Sequence, residues 1–451
     1  MQSFSEYQFG VVEIINLVFL FIIIFLITYF VIPFVIKFAR SKGWIGIDIH
    51  KVEKPEVAES GGIGIVIGLC FALVFMLILF PSLTNELLVI LLTIIIAGVI
   101  GLIDDRKKLS SVKKIILTII TGGPIFILNF INFIDVDSPT IPILGMLRLN
   151  FIYPLVIPVI IAVTTNTVNM LEGYNGEGSG TCLIAVIFMF ISGLIWNSAQ
   201  AVIYSVPFIA ILLAFFLYNK YPAKVFPGDV GTITIGAMIG CIAIFGSIEV
   251  PTFCVLLGHV FNSFYILSSL RRLLESSQIQ IKQSDIIFLE NGKIKASRED
   301  DAAMSLPRLI LAKGELTEPE LVNNFFALSL ICGQFSIIAA LSMQWTLYYD
   351  NIAFLVISGI IFILICGGFS LIIYWKFPRI RGISIIMVIL LASGIVFVWF
   401  IDWFIVQTPF NWLWSGLLTA VGLGLWYYIG CLRYFWKQID KMKKREDEES
   451  I

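Results

Sequence analysis

The chain has 451 residues, 59% of them hydrophobic and 14% charged, with a mean hydropathy of +0.96. A water-soluble domain carries about a quarter charged residues, so this composition excludes one and points to a polytopic, all-α membrane protein. The formal net charge of −1 gives no basic field and no argument for nucleic acid.

In chain order, the apolar runs that predict spans are Val11–Ile36, Gly62–Phe80, Leu87–Ile103, Ile115–Phe133, Phe151–Met170, Cys182–Ile195, Ala201–Tyr218, Thr232–Gly246 and Pro251–Leu267. Four more follow a long polar segment: Val322–Met343, Ile352–Trp375, Ser384–Trp403 and Trp412–Leu432. The first run lacks a basic leader and is long for a signal peptide, so it reads as a span. About thirteen helices result. With the N-terminus outside and every run crossing, only Arg148 of the 30 lysines and arginines falls on the outer side. This is the charge asymmetry expected of cytoplasmic loops.

Between the two sets of runs, Arg271–Glu320 reads as a cytoplasmic loop with a hairpin at Asn291-Gly292. The tail from Lys437 is basic first and acidic at its end, a solvated helix end on the plain reading. The domains that follow are a membrane core over residues 1–345, containing the loop 271–320, then added helices over 346–435 and a charged tail over 436–451. The seven cysteines are scattered in or beside apolar runs and read as small buried hydrophobes.

Four polar clusters then fall on the cytoplasmic side. One is Asp48-Ile-His50-Lys51 with Glu59, and a second is Gly101-Leu-Ile-Asp104-Asp105 with Lys113-Lys114. The third is Asn166 to Gly180, holding Asn166, Asn169, Glu172 and Asn175, and the fourth is Phe226-Pro-Gly228-Asp229-Val-Gly231-Thr232. Asn166 and Asn169 share a helix face, and Gly173, Gly176, Gly178 and Gly180 are expected to break that helix into a polar loop. Ionisable groups at membrane depth are costly and mark a site. Adjacent carboxylates such as Asp104 and Asp105 repel unless a cation or proton lies between them. Mg²⁺ suits that setting, with Asp229 and amide oxygens from Asn169 or Asn175 completing an oxygen shell. Outside the clusters, His259 and Asn262 stand i,i+3 and read as a hydrogen-bonded helix pair, and His50 as a loop histidine.

At these residues the chain resembles the polyprenyl-phosphate N-acetylhexosamine-1-phosphate transferases, and within them the eukaryotic and archaeal dolichyl-phosphate branch. Asn166-x-x-Asn169-x-x-x-Gly173-x-Asn175-Gly176 resembles that branch's asparagine motif. Asp104-Asp105, Lys114 and Phe226-x-Gly228-Asp229 resemble the family's paired aspartates, lysine and metal-binding turn. The resemblance implies transfer of a sugar-1-phosphate, GlcNAc-1-phosphate first, from a UDP-sugar to a polyprenyl or dolichyl phosphate, with UMP released. It implies Asp104, Asp105 and Lys114 as catalytic and Asp229 with Asn169 as ligands of Mg²⁺, with Mn²⁺ as the substitute. It implies Asp48, Lys51, Glu59, Asn166, Glu172, Asn175 and Lys282 as substrate contacts. The implied setting is a multi-pass protein, in an archaeal cell membrane before an endoplasmic reticulum membrane, with a homodimer as an option.

Two departures stand out. Where the family carries a short Arg/His motif in its last cytoplasmic loop, this chain has Gln280-Ile-Lys282-Gln283-Ser284-Asp285, so either Lys282, Arg271 or Arg272 substitutes, or the sugar differs from GlcNAc, or activity is reduced. The family usually has ten spans, so three here are extra. The rival readings are a transporter or flippase for an anionic or lipid-linked substrate, and a non-catalytic relative.

Overall fold

A computed structural model describes residues 10–142, 145–146, 152–270, 284–347, 352–405 and 412–449. The chain is an all-α polytopic membrane protein, with two β-hairpins and one three-stranded sheet among the described residues. Helix α1 (Val11–Ser41) leads into a hairpin of β1 (Ile45–Ile47) and β2 (Glu56–Ala58), in which Gly46 pairs with Val57. Next come α2 (Gly62–Leu79), α3 (Thr84–Lys107), α4 (Ser111–Thr121) and α5 (Gly123–Phe130). After β3 (Thr140–Ile141) and β4 (Gly145–Met146) follow α6 (Ile152–Leu171), α7 (Glu177–Trp196), α8 (Ala199–Asn219), α9 (Gly228–Phe245), α10 (Glu249–Val255) and α11 (Leu257–Leu270).

The loop then forms a three-stranded antiparallel sheet of β5 (Ile286–Phe288), β6 (Lys293–Ala296) and β7 (Leu316–Thr317), with α12 (Leu306–Leu311) beside it. The chain closes with α13 (Glu318–Leu347), α14 (Ile352–Lys376), α15 (Arg381–Ile405) and α16 (Trp412–Glu449).

Every apolar run named from the sequence is helical, but the elements are not all single straight rods. Among the described residues ten helices are long and apolar enough to cross a bilayer, or eleven if α10 and α11, bent by 66°, count together. The expected run Pro251–Leu267 is that broken pair. Val322–Met343 lies inside the 30-residue α13, a helix of full spanning length. The expected turn at Asn291-Gly292 is present, with Gly292 at φ +77° between β5 and β6.

Helix α9 is the axis of the core and is almost wholly buried. In a bilayer, helices associate through close packing of small residues more than through burial of apolar surface. Glycine supplies that here. A Cβ on Gly62 would lie 2.1 Å from the backbone of Gly231, and one on Gly101 would lie 2.4 Å from Val230 Cα. On the opposite side, a Cβ on Gly236 would lie 2.4 Å from Thr165 Cα. So α2, α3 and α6 each cross α9 at near backbone contact, and their ends are brought to one level. The β1–β2 hairpin is sewn to the same end: Phe226 N–H donates to Ala58 O at 2.8 Å and Gly61 N–H to Phe226 O at 2.8 Å.

The tail is helical and largely exposed, as expected, but one face of it is covered. Cys431, Phe435, Ile439 and Met442 form a buried stripe on α16, and the Phe435 ring lies 5.4 Å from Tyr265. Beyond them Lys443 pairs with Asp300, Glu446 with Lys295 at 2.7 Å and with Arg298 at 3.1 Å, and Asp447 with Arg298. The charges that looked free in the sequence meet complementary charges on the β5–β6 unit.

Candidate active site

Three helix ends converge on one ammonium. Asp104 ends α3, Asn169 lies in the last turn of α6, and Asp229 lies in the first turn of α9. Lys114 Nζ, from the first turn of α4, stands 2.7 Å from Asp104 Oδ2, 2.8 Å from Asp229 Oδ1 and 3.0 Å from Asn169 Oδ1. Asn169 Nδ2 in turn donates to Asp229 Oδ1, and to Thr232 Oγ1 at 2.7 Å. These residues are up to 125 positions apart, and the glycine crossings along α9 explain how they meet.

The paired aspartates do not share a cation, contrary to the sequence expectation. Being adjacent on a helix, they point about 100° apart. Asp104 turns to Lys114 and accepts Leu109 N–H at 2.7 Å. Asp105 turns the other way and accepts Asp229 N–H at 2.6 Å and the Ser60 hydroxyl at 2.8 Å. A carboxylate over the first N–H groups of α9 satisfies donors that a helix start leaves open and suits the positive end of its dipole. Gly228 makes this approach available: it sits at φ +65°, and a Cβ there would meet Asp105 Oδ2 at 2.6 Å. Ser60 also accepts from Arg106 Nη2 at 2.6 Å, and the Arg106 guanidinium lies 4.2 Å from the Trp44 ring centre.

The donor set around Lys114 fits a hard divalent cation. It comprises two carboxylates and an amide oxygen, all hard oxygen donors of the kind Mg²⁺ takes, and a positive charge already sits among them. Asp229 Oδ2 takes no hydrogen bond among the described residues, and the Asp229 side chain is 29% exposed, so the set is open to solvent on that side.

The pattern of glycosyl transferase family 4 matches residues 87–247, the stretch from α3 to α9 that carries these residues. The chain is 33% identical over 296 residues to a putative glycosyltransferase of Methanocaldococcus jannaschii, covering 66% of this chain and 88% of that one. The chain belongs to glycosyl transferase family 4. It is also 35% identical over 228 residues, 49% of this chain and 68% of the relative, to a Sulfolobus acidocaldarius protein named putative UDP-N-acetylglucosamine--dolichyl-phosphate N-acetylglucosaminephosphotransferase. A Clostridium botulinum phospho-N-acetylmuramoyl-pentapeptide-transferase is 32% identical over 197 residues, 42% of this chain and 60% of that one.

The fold assembles a second polar group from the β1–β2 hairpin, the Gly173–Gly176 turn and the start of α13, of which only the turn lies within the family match. Asn175 Nδ2 donates to Asp48 Oδ2 at 2.9 Å, and Asn175 N–H to Glu318 Oε1 at 2.7 Å. Lys51 pairs with Asp48, and its ammonium lies 4.6 Å from the Tyr221 ring centre. His50 stacks on Tyr174 with ring centres 4.7 Å apart, and burial holds its imidazole below the usual histidine range. Asn175 is therefore not with Asn169 at the Lys114 centre, where the sequence offered it as an alternative ligand. It ties Asp48 to Glu318.

Several expected contacts lie elsewhere. Asn166 donates to Thr118 Oγ1 at 2.8 Å and to Ala162 O at 2.7 Å, bracing α6 against α4. Glu59 faces Gly46 within its own hairpin. Glu172 packs against Gly178, its Oε2 sealed from solvent, and desolvation pushes its carboxyl up to about 8. Gly178 and Gly180 do not break a helix; they lie in the first turn of α7. The break is shorter, from Glu172 to Gly176, and is held by Glu177, which accepts N–H bonds from Gly173 at 3.1 Å and Tyr174 at 3.2 Å. His259 and Asn262 do not bond each other. His259 Nε2 stands 3.2 Å from Thr181 Oγ1, while Asn262 donates to Met170 O and accepts from Leu306 N–H, both at 2.9 Å. Lys282, Arg271 and Arg272 lie outside the described residues.

Sequence reasoning missed Glu318 and Ser60 as parts of this end of the molecule, and paired Asn262 with His259 where it bonds Met170 and Leu306 instead. Glu318 carried no signal, because its role depends on where α13 starts relative to a turn 143 residues away.

Proposed function

We propose that the protein transfers a sugar-1-phosphate, GlcNAc-1-phosphate first among candidates, from a UDP-sugar to a polyprenyl phosphate in the membrane. One observation carries the reading: two carboxylates, an amide and an ammonium gather at three helix ends. An apolar groove of about 330 Å³ lies between α6 and α10, lined by Val159, Val163 and Thr167 of α6 and by Glu249, Val250, Phe253 and Leu256. Its surface is almost wholly apolar, which suits an isoprenoid chain. The names of the archaeal and bacterial relatives agree with this substrate class.

In the reaction, an oxygen of the lipid phosphate attacks the β-phosphorus of the nucleotide sugar, and the bond to the bridging oxygen breaks as UMP leaves. Such a transfer demands positioning and charge neutralisation more than covalent chemistry. Asp229 and Asn169, with Asp104 beside them, would hold Mg²⁺, which neutralises diphosphate charge when bound. Lys114 turns its ammonium to the phosphates, and Asp104 keeps that ammonium placed and takes the proton of the lipid phosphate. Asp105 acts by fixing the start of α9, so Asp229 stays in place. Asp48, Lys51 and Asn175 serve the nucleotide. The helix ends face the cytoplasm, where UDP-sugars are made, in keeping with the lysine and arginine asymmetry. A cell membrane is the reading for localisation, in line with the archaeal relatives. The test is release of UMP from a panel of UDP-sugars by the purified protein with a polyprenyl phosphate and Mg²⁺. No release from any donor would refute the reading.

A further inference from the structure

We infer that Asp48, His50 and Glu318 form a second divalent-metal site, for a zinc-like ion, separate from the all-oxygen set around Lys114. One donor atom from each of the three lies within 4.8 Å of the others. In tetrahedral coordination two donors each about 2.1 Å from the ion stand about 3.4 Å apart, so closure needs a movement of up to roughly 1.4 Å. Asp48 and Glu318 are each 3% exposed.

Their bonding leaves ligand atoms available. Both protein donors to the Asp48 carboxylate, Lys51 Nζ and Asn175 Nδ2, reach Oδ2, so Oδ1 has no hydrogen bond among the described residues. Glu318 gives Oε1 to the Asn175 N–H, while Oε2 has only a contact at 3.5 Å. Neither ring nitrogen of His50 has a hydrogen-bond partner among the described residues, although the ring is fixed by its stack on Tyr174.

The ligand types decide the ion class. Imidazole with carboxylates favours zinc and its neighbours over Mg²⁺, which prefers oxygen alone. Asn175 supplies what such sites have behind their ligands: its two N–H groups orient both carboxylates at once. The formal charge also invites a cation, since two carboxylates face one lysine. An ion here would staple the β1–β2 hairpin to the start of α13 across the Asn175 turn. Taken with the proposed use of Asp48 and Asn175 for the nucleotide, it would close that subsite, so Zn²⁺ inhibits transfer in competition with the UDP-sugar. Only this last consequence rests on the proposed function.

The experiment is equilibrium binding of Zn²⁺ alone to the full-length protein in detergent, without nucleotide or lipid. Wild type and Asp229→Asn are expected to hold one ion that His50→Asn binds about tenfold or more weakly. Glu318→Gln should behave as His50→Asn does, and thermal unfolding checks that both variants are folded. Equal affinity in wild type and a folded His50→Asn would overturn the site. If Zn²⁺ binds as expected but does not compete with the UDP-sugar, the site stands and the nucleotide assignment of Asp48 and Asn175 falls.

Discussion

The helices around α9 and the helices after α13 are equally greasy in sequence and very different in structure. Around α9, backbones pass so closely that a single added carbon would overlap a neighbour, at Gly62, Gly101 and Gly236. In α14, Gly367 and Gly368 have nothing within reach of an added carbon, and Leu364, Ile365, Leu371, Ile372 and Trp375 are all exposed. Hydropathy reports only that both belong in the bilayer. What separates them is whether the position of a helix end must be held to a fraction of an ångström. The ends of α3, α6 and α9 must, because four polar groups meet there. The C-terminal set meets the rest of the protein through the turn between α14 and α15, where Arg379 donates to Gly314 O at 2.7 Å, and through α16 and its charged tail.

The sharpest way to break this contrast is at the shared centre. Asp229→Ala is expected to lower UMP release by about 10²–10³-fold while the protein remains folded, because it removes a charge that acts on the reacting phosphates. A steady-state rate within tenfold of wild type would put the centre elsewhere.

Next in size is packing. Gly101→Val should cost about 3 kcal/mol or more of stability, since its first carbon already overlaps Val230. Gly367→Val, on the exposed α14, should change the unfolding temperature little. Comparable losses at both positions would dissolve the distinction between the two regions.

A third effect is set by pH. Glu172 is protonated in the folded protein up to about pH 8, far above an ordinary glutamate, because its environment disfavours charge. A carboxyl raised in this way contributes stability that is complete below its unfolded value near 4.3 and is lost as pH rises through about 8. The melting temperature of the detergent-solubilised protein should therefore fall between pH 6 and pH 9, and Glu172→Gln should flatten the decline. An identical slope in both proteins would assign the decline to another group.

The smallest effect is expected at the tail. Arg298→Glu opposes Glu446 and Asp447 but leaves the buried stripe of α16 intact. Exposed ion pairs contribute little, so the transfer rate should stay within about twofold, with any loss restored by salt screening. A large, salt-insensitive loss would mean that the tail is coupled to the chemistry.

The sequence was most legible where polarity breaks an apolar background. Asp104, Asn169 and Asp229 stood out for that reason, and Lys114 took its meaning from lying just beyond the paired aspartates. It was less legible wherever two neighbours divide their duties. Nothing in Asp104-Asp105 tells which carboxylate will serve the centre and which will hold the start of α9; the crossing of α3 over α9 decides that. Hydrogen bonds between distant segments were hidden for the same reason. Asn262 reads as a partner for His259 by spacing, yet it pins α6 to α12. The tail read as solvated because its complements, Lys295, Arg298 and Asp300, are some 150 positions earlier and sit on a hairpin whose orientation no local pattern encodes.

Arg308 lies at the centre of the loop unit, wholly enclosed, with Phe435 of α16 on one side. Its guanidinium donates to the carbonyls of Ser297, Glu299 and Ala302, at 3.1, 2.7 and 2.8 Å. It grips the backbone of that bend and ignores its side chains. The exposed positions of the bend, such as Glu299 and Asp301, are therefore free to change without loosening this grip. A lysine, with a compact head in place of a planar fork, could not inherit the task.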